Sequence, residues 1–312
     1  MATRTKLKAE SVTWWSREFR SIRRRKDLFT AFLFLAPSVL AFAVFTYYAL
    51  GFNMYLSLTS WNFISDTKRF IGLDNYINLF NSARFLKVVL NTTFFSVGSV
   101  VLSLVLGLLF AVLLNKKIPG RGLLRTVIFS PYITTTAAVA LLWVWIFDPN
   151  YGLINYALEF IGLEGPRWLS SIQFAMPALI IMEVWKIAGY AMVIFLAGLT
   201  NIPSELYEAA EIDGAGGWVS FWHITLPLLS PTTFFLIVTS LVNAFKVFDQ
   251  VAVMTLGGPV DATKVFNFYI YELAFINFKA GYASAAAMVL FFILLILTLM
   301  QIVFSRKWVY YQ

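Results

Sequence analysis

Six long apolar runs dominate this chain: Leu28–Tyr55, Val88–Asn115, Thr126–Phe147, Gln173–Thr200, Leu228–Val253 and Ala280–Phe304. Each reaches the roughly 20 residues that a helix needs to cross a bilayer's hydrocarbon. The runs are continuous instead of alternating, which argues against a membrane β-barrel. The expected fold is therefore an all-α polytopic membrane protein with six transmembrane helices. Composition agrees: 60% of residues are hydrophobic and 13% charged, against about half and about a quarter in soluble domains. The first run continues well past the small residues Ala41-Phe42-Ala43, so it is read as an anchor and not a cleaved leader.

Flanking Lys and Arg residues set the expected orientation. With a cytoplasmic N-terminus, fifteen basic residues fall inside, among them Arg23, Arg24, Arg25, Lys116, Lys117, Arg306 and Lys307. Seven fall outside: Lys68, Arg69, Arg84, Lys87, Arg167, Lys264 and Lys279. Both termini are then cytoplasmic. The net charge of +8 raises the question of nucleic acid. The basic residues gather at run ends instead of forming a stripe, so no nucleic-acid partner is expected. The chain has no cysteine, which excludes disulfides and thiolate chemistry. Residues 1–27 form a basic segment in which Trp14, Trp15, Phe19 and Ile22 suit a helix lying in the inner interface. A solvated basic tail is the other reading. Residues 28–312 form one six-helix domain without visible internal repeats.

One inner loop, 201–227, breaks the charge rule. It carries Glu205, Glu208, Glu211 and Asp213 and no Lys or Arg. Ser204 is expected to cap a short helix, and its early carboxylates favour the positive end of the helix dipole. Glu205, Glu208 and Glu211 share one side. Gly214 and Gly216-Gly217 are expected to stop the helix, and Trp218–Thr225 to form a second one ended near Pro227. Two readings stand: a docking knob for a groove carrying arginine, or a connector whose carboxylates face water.

The fourth and fifth runs each contain two charges three residues apart, Glu183 with Lys186 and Lys246 with Asp249. One helical turn separates each pair, so each is expected as an internal ion pair. Charges at membrane depth face the bundle interior and mark a functional path by default. Trp185 and Tyr190 flank the first pair, and Asn243, Phe245 and Phe248 the second. Aromatic faces mixed with polar groups suit a polyol. The competing reading is two structural pairs that set helix rotation. His223, the only histidine, lies in the loop, and a lone histidine makes no multi-ligand metal site.

The spacing Glu208-Ala209-Ala210, three residues, Gly214, nine residues, Ile224, one residue, Leu226-Pro227 resembles the EAA loop of ABC importer permeases. Gly72-Leu73-Asp74-Asn75-Tyr76, Ser130-Pro131-Tyr132 and Gly257-Gly258-Pro259 extend the resemblance over most of the chain. Together they resemble the carbohydrate-uptake branch, the maltose-type and glycerol-3-phosphate-type permeases, in a minimal six-helix form of the type I importer fold. The resemblance implies a multi-pass protein of a bacterial or archaeal plasma membrane. It implies that Glu208, Ala209, Ala210, Asp213, Gly214, Ile224, Leu226 and Pro227 dock into a separate ATPase subunit. It implies four kinds of partner: a second, non-identical permease subunit, two ATP-binding cassette subunits, an extracytoplasmic solute-binding protein and a sugar. ATP and magnesium belong to the partners. This chain has no cofactor, metal or catalytic residue of its own, and no G-x-x-x-x-G-K-[ST] phosphate loop. The implied substrate path lies near Glu183, Lys186, Tyr190, Asn243, Lys246 and Asp249. A phosphorylated polyol such as sn-glycerol-3-phosphate would find Lys186 and Lys246 as free cations. A neutral oligosaccharide would leave them paired. An ion-coupled secondary transporter would need inverted repeats, which are not seen. An intramembrane enzyme would need a catalytic dyad, which the spacing does not supply.

Overall fold

The computed structural model describes residues 22–116 and 118–310, with side chains from residue 30 onward. The interface-helix expectation for Trp14, Trp15 and Phe19 lies outside the described residues. The chain divides into two compact units, one ending at Tyr55 and one beginning at Leu56.

The first helical run consists of α1 (Ile22–Phe42), a π-helical stretch (Ala43–Tyr48) and α2 (Ala49–Ser57). A short hairpin, β1 (Thr59–Ser60) and β2 (Arg69–Phe70), pairs Thr59 with Phe70 and Ser60 with Arg69. Next come α3 (Asp74–Phe80) and the longest helix, α4 (Ala83–Asn115), which starts on a capping bond from Phe85 N–H to Ser82 Oγ. At the far end Arg125 Nη2 donates to Leu114 O at 2.9 Å, satisfying a terminal carbonyl of α4.

The expected third span, Thr126–Phe147, is not one straight helix. It is α5 (Arg121–Ile133) followed by α6 (Thr136–Ile146), bent by 101°. The local chemistry explains the break. Pro131 has no N–H for the carbonyl of Val127, and Ser130 Oγ donates to that oxygen instead, at 3.0 Å. Thr134 and Thr135 then take extended conformations, ψ 143° and 134°. The β-branched run Ile133–Thr136 lowers helix propensity across the break.

A short helix, α7 (Leu153–Phe160), precedes α8 (Ala175–Thr200). The loop helices follow: α9 (Ser204–Ile212), α10 (Gly217–Ser220) and α11 (Leu226–Leu228). The fifth span is α12 (Ser230–Phe245) and α13 (Asp249–Met254), separated by a break at residues 246–248. After α14 (Phe266–Tyr271) and a π-helical turn (Glu272–Ile276), α15 (Ala280–Trp308) closes the chain. Among the described residues, five helical segments are long and apolar enough to span a membrane, or six if the bent pair counts as one.

Helix α8 sits at the centre of the second unit. Small residues let three neighbours approach its backbone. A Cβ at Gly107 of α4 would lie 2.5 Å from Ala191 Cβ. A Cβ at Gly189 would lie 2.0 Å from Ile128 O on α5, and one at Gly198 would lie 2.6 Å from Thr232 Oγ1 on α12. Met182, Met192 and Phe195 fill the space between, all buried. Gly189→Ala therefore forces α5 away from α8. Overpacking of this kind costs about 1–3 kcal/mol, and the purified protein should melt several degrees lower in detergent. An unchanged melting temperature would show that the close approach is not structural.

The candidate functional site: a helical knob and a polar cleft

The acidic loop folds as a compact knob. Helix α9 ends in a Schellman motif: Gly214 is left-handed at φ 80°, Ala215 N–H bonds Ala210 O at 2.8 Å, and Gly214 N–H bonds Glu211 O at 3.0 Å. The Tyr207 and Thr225 hydroxyls, 2.9 Å apart, tie the first loop helix to the second. Glu205, Glu208, Ala209, Glu211 and Asp213 are all exposed. Ala210 and Ile224 are half-buried, as are Leu226 and Pro227.

Three local expectations are corrected. Ser204 does not cap α9. Pro203, at φ −58° and ψ 135°, holds the cap position, and Ser204 begins the helix without a capping bond. Gly216-Gly217 is not a stop, because Gly217 begins α10. Pro227 does not end the second helix. A π-helical turn, Phe221–Thr225, with Leu226 N–H bonded to Phe221 O, shifts the ladder so that Pro227 is accommodated. The knob is also less purely acidic than its charges suggest. Ile212 is 86% exposed and Trp218 74%, and Val219 and Trp222 are open beside them. His223 is exposed, with Nδ1 3.0 Å from Val219 O.

The intramembrane residues meet only in part. Glu183, Tyr190 and Asn243 line one narrow cleft with Ser99, Ser103 and Tyr132. Its free volume is about 50 Å³, room for one or two waters and not for a sugar ring. The Tyr132 and Tyr190 rings stack at 4.6 Å across the bend of the third span. Lys246 and Asp249 do not line this cleft.

Neither expected ion pair forms. The salt bridges among the described residues lie elsewhere. Glu183 Oε2 instead accepts from Gln250 Nε2 on α13 at 2.9 Å. Lys186 Nζ lies 5.9 Å from the centre of the Tyr132 ring. Lys246 falls at the break after α12, and Phe248 at φ −144° leaves helical geometry, so the one-turn relation to Asp249 is lost.

Sequence reasoning missed Gln250, 3% exposed, which fixes the Glu183 carboxylate. It also missed the buried serines of α4. Among the described residues the Ser96 and Ser103 hydroxyls have no partner, and Ser99 donates to Phe95 O at 2.7 Å. Their spacing of three and four residues on an apolar run was a readable signal of a polar helix face.

A second charged group lies at the N-terminal end of α4. Arg84 Nε and Nη2 reach Asp261 Oδ2 at 2.8 Å and Glu272 Oε1 at 2.9 Å. Lys264 Nζ reaches Asp261 Oδ1 at 2.7 Å and Glu272 Oε2 at 2.6 Å. Lys264, counted from sequence among the outer flanking charges, is 4% exposed and fully engaged. Asn91 Nδ2 donates to the carbonyls of Asp261 and Lys264 at 2.8 and 3.1 Å, and Thr92 Oγ1 accepts from Phe266 N–H at 3.0 Å. One face of α4 thus pins the whole 260–266 segment. The hydrogen bond from Arg84 holds the Asp261 carboxyl down to about 2, with Lys264 assisting. The folded value lies below the unfolded carboxylate's roughly 3.9. The stabilisation is therefore complete above that pH and fades as pH falls through about 2. Wild type should melt above Asp261→Asn at pH 6, and the gap should narrow steadily towards pH 2. A gap independent of pH would mean that charge is not what holds this segment.

Comparison with known proteins follows the same lines. The model of the family described as "Binding-protein-dependent transport system inner membrane component" matches residues 103–309. The chain is 38% identical over 279 residues to the probable ABC transporter permease protein YurN of Bacillus subtilis, covering 88% of this chain and 95% of that protein. It is 35% identical over 282 residues to the sn-glycerol-3-phosphate transport system permease protein UgpA of Shigella flexneri, covering 90% and 95%. It is also similar to a chain of a bacterial alginate ABC transporter solved in complex with an alginate pentasaccharide-bound periplasmic protein. There the TM-score is 0.80 at 26% identity, over 91% of this chain and 96% of that one.

Proposed function

We infer the function of this chain from its kinship: it belongs to the family of binding-protein-dependent transport system inner membrane components. It is the permease subunit of an ABC importer for sugars or oligosaccharides, and is not itself an enzyme. Six spans cross the membrane with both termini in the cytoplasm, the bent α5–α6 pair serving as the third. A second permease subunit completes the path, and two ATP-binding cassette subunits bind ATP and magnesium. An external binding protein delivers the cargo. Nucleotide binding closes the inner side and opens the outer, and each ligand shifts the balance between those two states.

The observation that carries the coupling role is the knob. It presents exposed carboxylates and the exposed side chains of Ile212 and Trp218 on a short helix pair locked by its own hydrogen bonds. A chain without a phosphate loop needs such a surface to receive work from another subunit. Glu208 meets a basic residue of the ATPase groove, Ala209 and Ala210 permit close contact, and Gly214 keeps the turn. Gly214→Val places a β-branched residue at φ 80°, a backbone region closed to it. In reconstituted transporter, Glu208→Ala and Gly214→Val should each lower uptake at least tenfold while the ATPase subunits continue to hydrolyse ATP. Full uptake with intact assembly in both variants would refute docking through this loop.

A second reading concerns the cargo. Among the described residues, no carboxylate lies within ion-pair distance of Lys186 or Lys246. Cations without a carboxylate at ion-pair distance are costly at membrane depth, and an anionic polyol offsets that cost where a neutral sugar does not. Glu183, Tyr190 and Asn243 supply hydrogen bonds to hydroxyls, and the cleft opens when the two subunits rock apart. Under this reading Lys186→Met and Lys246→Met each raise the concentration for half-maximal uptake of a phosphorylated or carboxylated polyol at least tenfold. Unchanged uptake in both variants would return the cargo to neutral sugars.

A further inference from the structure

A recess of about 750 Å³ opens between the β1–β2 hairpin, the N-terminal end of α4 and the π-helical turn before α15. It lies apart from the intramembrane cleft and shares no lining residue with it. Its volume falls in the range of small-molecule sites, roughly 300–1,000 Å³.

The walls are fixed. Asn75 Nδ2 donates to Ser57 O and Thr59 O at 2.8 and 2.9 Å, and Gly281 N–H bonds Trp61 O at 3.1 Å. A Cβ at Gly281 would lie 1.9 Å from Thr59 O, so the hairpin rests directly on the start of α15. On the opposite wall Phe278 is held at φ 52°, between Asn277 N–H bonded to Glu272 O and Lys279 N–H bonded to Leu273 O, both at 2.8 Å. A bulky residue held in the left-handed region marks a surface whose shape is constrained.

The chemistry of the lining is one-sided. Three cations, Arg69, Arg84 and Lys279, face the recess, and no carboxylate lines it. Arg84 is already matched by Asp261 and Glu272 behind it. Arg69 and Lys279 have no side-chain hydrogen bond or ion pair among the described residues, and both are exposed. The recess thus presents two uncompensated positive charges from two different segments. Asn78 and Asn277 add amides that both donate and accept, as vicinal hydroxyls require. Tyr282 adds an aromatic ring and a hydroxyl.

We propose that this recess is a binding site for a carboxylate-bearing saccharide, with Arg69 and Lys279 on the carboxylate and Asn78, Asn277 and Tyr282 on the ring hydroxyls. That it opens outward rests on the orientation proposed above; the binding does not. The test is calorimetric titration of the assembled, nucleotide-free transporter in lipid nanodiscs with D-glucuronate, D-glucose, inorganic phosphate and a tetraglutamate peptide. Glucuronate should bind at least tenfold more tightly than glucose and phosphate, and more weakly as salt rises. Arg69→Gln/Lys279→Gln should lose that preference with an unchanged melting temperature, and Arg167→Gln, at an exposed residue that lines neither the recess nor the cleft, should keep it. Equal binding of glucose and glucuronate, preference for phosphate or tetraglutamate, or full glucuronate binding by the double variant would each overturn the proposal. ATP-driven uptake in the same nanodisc-competent preparation, moved to liposomes, reports separately on the permease reading.

Discussion

The close approach of α8 to its three neighbours is the constraint on which the rest depends. In a bilayer, apolar side chains gain little by leaving lipid for protein, so helix association relies on packing and on backbones coming close. Gly107 against Ala191, Gly189 against Ile128 O and Gly198 against Thr232 provide that closeness on three sides of one helix. The consequence reaches both candidate sites. Holding α5 on α8 brings Tyr132 onto Tyr190. Glu183, on the same helix, reaches Gln250 of α13. The C-terminal end of α8 leads through Asn201–Pro203 directly into the knob.

This arrangement suits the coupling role proposed for the knob. The knob is internally tied by Tyr207 and Thr225, and Gly198 seats the end of α8 on the start of α12. On the docking proposal, a displacement of the knob would move both helices that bracket it. Those helices carry Glu183, Tyr190 and Asn243, which line the cleft. The π-helical turn at Phe221–Thr225 and the break after Phe245 are the irregular points along that route, and irregular helical turns often fall at functional hinges.

Polar chemistry at the N-terminal end of α4 and at the knob is handled differently. Near the N-terminal end of α4, two basic and two acidic side chains are brought into mutual contact, and the segment they hold contains Val260 and Asp261 in left-handed conformations. At the knob, carboxylates and tryptophan are left open. The first is a network of mutual ion pairs that fixes backbone; the second is an exposed surface. The cleft lies between these extremes, with Glu183 bonded once and the hydroxyls of Ser96 and Ser103 still unmatched.

What was legible in the sequence was what depends on neighbours along the chain. Apolar run length places the spanning helices, because crossing hydrocarbon is a matter of consecutive residues. The loop motif from Glu208 to Pro227 is contiguous, so its turn at Gly214 follows from local backbone chemistry. Even there, Ser204 and Pro227 were misplaced by a residue or a turn, since Pro203 and a π-helical stretch competed for the same positions. The tertiary structure alone decided the partners. Glu183 and Lys186 are one turn apart, yet Glu183 bonds Gln250, 67 positions away, and Lys264 is buried against Glu272 and held near Arg84. Helical periodicity states which side chains share a face, but not which face meets which helix. That choice was made by where glycine and alanine let backbones touch, and so by three-dimensional packing.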